Sequence, residues 1–106
     1  MLFCDGFDWP FGDAIARQTS VGLPPPWYDA NPFGTHYNLA AKGDPPIWAF
    51  HPGGDFNLPQ NADAHKPLYA MANGEVTFAG LWPSGSWGNL IIIRHTWPDG
   101  TRVYSR

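Results

Sequence analysis

Hydrophobic and polar positions divide this 106-residue chain into two unlike halves. From residue 47 onward, apolar residues gather in short β-prone runs separated by Gly, Pro, Asn and Asp, which is the spacing of strands and turns. "IWAF" at 47–50 is the first run. In "PLYAMANGEVTFAGLW", Asn73-Gly74 sits between two such runs, and this residue pair favours a two-residue type I′ turn, so a hairpin is expected there. "NLIIIRH" at 89–95 is almost unbroken apolar and β-branched, the pattern of a central strand covered on both faces. "WPDG" then marks a turn before "TRVYS". Before residue 47 no period emerges. "GLPPPWYDANPFG" favours turns and extended backbone over helix, and residues 13–18 allow at most a short helical turn. The expected fold is mainly β. It is a single antiparallel β-sheet domain at 47–106, with an irregular, Pro- and aromatic-rich segment at 1–46 wrapping the same domain through Trp9, Trp27, Tyr28, Phe33 and Tyr37.

Composition narrows the partners. Twelve glycines and twelve prolines bring the chain near the range of disordered sequences, but 43% hydrophobic and 16% aromatic residues argue for a packed, loop-rich domain. Charged residues are only 14%, against about 25% in an ordinary domain. The net charge of −3 comes without a basic cluster to neutralise phosphates, so nucleic acid is not an expected partner. Cys4, the single cysteine, cannot form an internal disulfide and reads as an inert thiol. The first residues lack the basic flank and long apolar run of a signal peptide or membrane span, so no membrane association is expected and localisation stays open.

Candidate chemistry centres on "FHPGGDFN", where His51 and Asp55 flank a Pro-Gly-Gly bend. Zinc accepts imidazole nitrogen and carboxylate oxygen at about 2.0–2.2 Å, and its catalytic sites usually pair three protein ligands with one water. His51 and Asp55 could supply two. Gly53 and Gly54 permit positive φ, which would turn both side chains toward one point. A bare H-x-x-x-D is equally the sequence of a solvated surface turn with an incidental histidine.

The order "HPGGDFN", "KPLYAMANGEVTFAG", "WGNLIIIRHTWPDG" resembles the lysostaphin-type zinc endopeptidases that cut peptidoglycan cross-links. That family carries H-x-G-x-D, then G-x-P-V-x-A-x-x-x-G-x-V, then Y-G-N-x-V-x-I-x-H. Pro67, Ala70, Gly74, Val76, Gly88, Asn89, Ile91, Ile93 and His95 fall in register with it over about half the chain. The resemblance implies zinc as cofactor, His51 and Asp55 as two of three metal ligands, and a peptidoglycan peptide as substrate outside the cytoplasm. His95 would take a supporting role. The aromatic segment at 27–37 would either wall the substrate groove or pack over the sheet.

Two family motifs have no counterpart here. No H-x-H occurs, and at the expected Y-x-H either Tyr104 matches the family tyrosine with Arg106 in the histidine's place, or Ser105-Arg106 precede that tyrosine and the sequence stops just short of it. The third zinc ligand and the general-base histidine are therefore unassigned: His36 follows no ligand spacing, and His65 sits in the polar loop "NADAHKP". An incomplete or degenerate copy is expected, weakly active or inactive by itself. Its unpaired sheet edge would leave Ile91, Ile93 and Val103 partly uncovered and open to self-association. The alternative is a non-catalytic cell-wall-binding or regulatory module on the same scaffold, using some of the six tryptophans as stacking surfaces.

Overall fold

The computed structural model describes residues 2–38, 45–85 and 87–106. In chain order its elements are helix α1 (Ala14–Thr19), strands β1 (Tyr28–Asp29), β2 (His36–Asn38), β3 (Trp48–Phe50) and β4 (Phe56–Asn57), a 3₁₀ turn at Pro59–Asn61, and strands β5 (Glu75–Leu81), β6 (Asn89–Thr96) and β7 (Arg102–Ser105). The fold is mainly β and every pairing is antiparallel, as the sequence pattern requires. The strands sort into three small sheets across two compact units, Met1–Thr19 with Pro67–Arg106, and Ser20–Lys66. The boundary expected at 46/47 falls inside the second unit, because β2 before it pairs with β3 after it.

In the first unit β5, β6 and β7 form a meander with β6 at its centre. Both connections use the same tetrapeptide logic. Trp82-Pro83-Ser84-Gly85 and Trp97-Pro98-Asp99-Gly100 each close with the glycine N–H donating to the tryptophan carbonyl at 2.8 Å, and both glycines have positive φ. Proline at the second position pre-sets the turn, and glycine supplies the left-handed residue that returns the strand. One residue of β5, Thr77, bulges between Val76↔Ile93 and Phe78↔Ile92. β6 is central in pairing but is not covered along its length: Ile91 is 58% exposed while His95, on the same face, is fully buried. Pairing satisfies a strand's backbone, whereas covering its side chains needs a packed layer.

The hairpin expected at Asn73-Gly74 does not form. No strand lies between the 3₁₀ turn and β5, and neither Asn73 nor Gly74 has the positive φ that a type I′ turn demands. Residues 69–71 instead bond backward to the N-terminal segment, with Tyr69 N–H donating to Pro10 O and Asp8 N–H to Met71 O, both at 2.8 Å. Gly74 is needed for room. A Cβ there would lie 2.6 Å from Ile93 Cγ2, 2.7 Å from Arg94 O and 2.8 Å from His95 Nδ1. Nearby, Cys4 is fully buried and its N–H donates to Thr96 O at 2.8 Å. Asp13 caps α1 by accepting from the Ile15 and Ala16 N–H groups at 3.0 and 2.8 Å.

The second unit consists of two short pairs. β1 pairs β4 through Tyr28↔Asn57 and Asp29↔Phe56, and β2 pairs β3 through His36↔Phe50, Tyr37↔Ala49 and Asn38↔Trp48. Two-stranded ladders of two or three residues are marginal without side-chain support. Hydrogen bonds around the turn that joins β3 to β4 extend both ladders.

Candidate metal centre

His51 follows β3 directly and Asp55 precedes β4 directly, so the two candidate ligands stand at opposite ends of one turn. Their backbones are held on both sides. His51 N–H donates to Thr35 O and Gly34 N–H donates to His51 O, each at 2.8 Å, which carries the β2–β3 ladder one step further. Asp55 N–H donates to Asp29 Oδ1 at 3.0 Å, and Ala30 N–H donates to Asp55 O at 2.7 Å. Residues 29–35 thus grip both ends of the turn at 51–55.

The side chains differ in environment. The His51 imidazole is half-buried against Tyr37, edge to face with centroids 5.9 Å apart. Its Nδ1 is buried and has no hydrogen-bond partner among the described residues. An unsatisfied buried polar atom costs about 1–3 kcal/mol, so its persistence asks for an explanation. Asp55 is exposed. Gly53 and Gly54 do not take the positive φ expected of them. At Gly54 the requirement is space, since a Cβ would collide with the Phe56 ring, while Gly53 faces open surroundings.

The remaining histidines do not complete a ligand set. His95 is fully buried, with Nδ1 2.9 Å from Asn73 O and Nε2 2.8 Å from Ser105 Oγ. A carbonyl only accepts, so Nδ1 carries the proton and Nε2 faces the hydroxyl, leaving neither nitrogen free for a metal. The supporting role expected of His95 becomes a role in the sheet: it ties β6 to β7 and to the segment before β5. His36 is exposed and packs between Trp48 and Phe50, at centroid distances of 4.8 and 5.0 Å. His65 lies exposed in its loop. Among the described residues no three His, Cys, Asp or Glu side chains converge as a metal-binding group.

The donor chemistry at His51 therefore fits zinc, an unclaimed imidazole nitrogen on a fixed backbone, while the number of ligands falls short of a catalytic site. Asp29, which reaches the Asp55 backbone, was missed in the sequence. Its signal is the Asp-x-Asn-Pro run, where an aspartate commonly bonds the N–H two residues on, as Asp29 Oδ1 does with Asn31 at 3.2 Å. A depression of about 510 Å³ in the first unit, lined by Asp5, Phe7, Asp8, Met71 and Asn73 among others, includes no histidine. No family model matches the chain, and no curated protein or solved structure matches it either.

Proposed function

We propose that the chain carries the His51/Asp55 part of a zinc-dependent endopeptidase site of the lysostaphin type, directed at peptide cross-links of bacterial peptidoglycan. The buried Nδ1 of His51 is the observation that supports it, because metal coordination would satisfy an atom that no described residue satisfies. The motif order from His51 to His95 adds the family argument. His51 and Asp55 would hold the ion, which when bound supplies a water of pKa about 7 and a charge that polarises the scissile carbonyl. The chain's own contribution is orientation: Tyr37 limits the imidazole plane, and the Gly34 and Thr35 backbone fixes its base. Two protein ligands hold zinc weakly, so hydrolysis by this chain alone is expected to be slow or absent. The substrate would lie outside the cytoplasm. No described helix is long and apolar enough to cross a membrane.

The test measures release of free amino groups from purified peptidoglycan, with zinc or chelator, for this chain and for one extended through an H-x-H segment. Zinc-dependent release by the longer form, lost in His51→Ala, supports the reading. Absence of zinc binding in both forms ends it.

A second reading, a non-catalytic cell-wall-binding module, is favoured by the ring column Trp48–His36–Phe50, whose outer members are 59% and 69% exposed. Exposed aromatic rings offer stacking surface to sugar or peptide. Sedimentation with insoluble cell walls in chelator separates the two. Binding that survives His51→Ala and fails in a Trp48→Ala, Phe50→Ala double variant favours the module. The free edges of β5 and β7, with Val103 and Ile91 partly exposed, keep self-association within either reading.

A further inference from the structure

We infer that Asp29 is a positioning residue for Asp55, setting where the carboxylate of the proposed metal site is presented. The inference rests on the zinc reading above. Asp55 is exposed, and the direction of its Cα–Cβ bond is set by its own backbone. Two bonds fix that backbone. Ala30 N–H takes the Asp55 carbonyl at 2.7 Å, and Asp29 Oδ1 takes the Asp55 N–H at 3.0 Å. The first is an ordinary extension of the β1–β4 ladder, which Asp29↔Phe56 continues. The second depends on a side chain, so truncating Asp29 removes it while leaving every backbone donor and carbonyl in place. The same Oδ1 also holds Asn31 N–H at 3.2 Å, so the acceptor is itself locked in a local turn. A metal ligand whose orientation is held by a neighbouring group commonly loses about 10- to 100-fold in metal affinity when that group is removed.

The experiment uses the full chain and zinc alone. Zinc affinity is measured for wild type, Asp29→Ala, Asp29→Asn and His51→Ala, with amide hydrogen exchange at residue 55 followed in the wild type and both Asp29 variants. The amide carbonyl of asparagine can still accept the Asp55 N–H, so Asp29→Asn should bind zinc within about threefold of wild type and keep the amide protected. Asp29→Ala should weaken binding about tenfold or more and lose that protection. Equal weakening by both variants assigns the effect to charge and overturns the inference, as does unchanged binding in Asp29→Ala. Should Asp29→Ala unfold, rapid exchange of the Asp55 amide in the wild type is an equally direct refutation, and slow exchange with a well-bound Asp29→Asn supports the assignment. Undiminished zinc binding in His51→Ala instead overturns the metal reading, and this inference with it.

Discussion

His95 lies within a strand and His51 directly follows one, and the two imidazoles meet opposite fates. His95, in the three-stranded unit, is fully buried, and both its nitrogens are bonded, one to the Asn73 carbonyl and one to the Ser105 hydroxyl. His51, in the unit of two-stranded pairs, is half-buried and keeps a buried Nδ1 with no partner among the described residues. A polar group that is buried and satisfied rigidifies the structure around it, whereas one left unsatisfied lowers stability and has to be retained for another reason. The contrast gives His95 a place in the fold and makes His51 the candidate for the chemistry proposed above.

Substitution should separate the two most sharply. His95→Ala removes a full side chain and strands the Asn73 carbonyl and Ser105 hydroxyl, so urea denaturation should show a loss of about 3 kcal/mol. His51→Ala should change stability by less than about 1 kcal/mol in either direction while abolishing zinc binding. Comparable destabilisation by both would erase the distinction.

The glycines sharpen it at the next level. Gly74 lies where an added Cβ would press on Ile93, the Arg94 carbonyl and the His95 ring, so Gly74→Ala should cost about 1–3 kcal/mol. Gly53 has open surroundings and ordinary φ, so Gly53→Ala should leave stability within about 0.5 kcal/mol. Thermal unfolding of the two variants in parallel checks this.

The smallest effect belongs to Asp99, in the turn that returns β6 to β7. The Thr101 backbone N–H, donating to Asp99 Oδ1 at 2.8 Å, with help from the Thr101 side chain, holds this carboxyl below its ordinary value of 3.8. A depressed folded-state pKa stabilises above the unfolded value, and that contribution is lost as pH falls through the folded one. Asp99→Asn should therefore be slightly less stable than wild type at pH 7, and the difference should shrink as pH drops below 3.8. A difference that grows on acidification would contradict the assignment.

The sheet of the first unit was legible because its signals are local. β-branched runs mark β5 and β6, and the WPDG turn sits between β6 and β7 where the sequence places it. Asn73-Gly74 shows where locality fails. Its glycine answers to the close approach of β6, a tertiary demand that reads in sequence like a turn. Gly54 repeats the lesson, needing space beside Phe56 where positive φ was expected. At the candidate site, His51 and Asp55 could be picked out as a pair, but neither the orphaned state of Nδ1 nor the reach of Asp29 across 26 positions of sequence has a local trace.

The most direct test follows the side-chain nitrogens of all four histidines by NMR as zinc is added to the full chain. The account predicts that His51 Nδ1 responds at the lowest zinc concentration, together with the Asp55 carboxylate, while both His95 nitrogens keep their starting signals. Zinc taken up by exposed His36 or His65, with His51 unmoved, would contradict it.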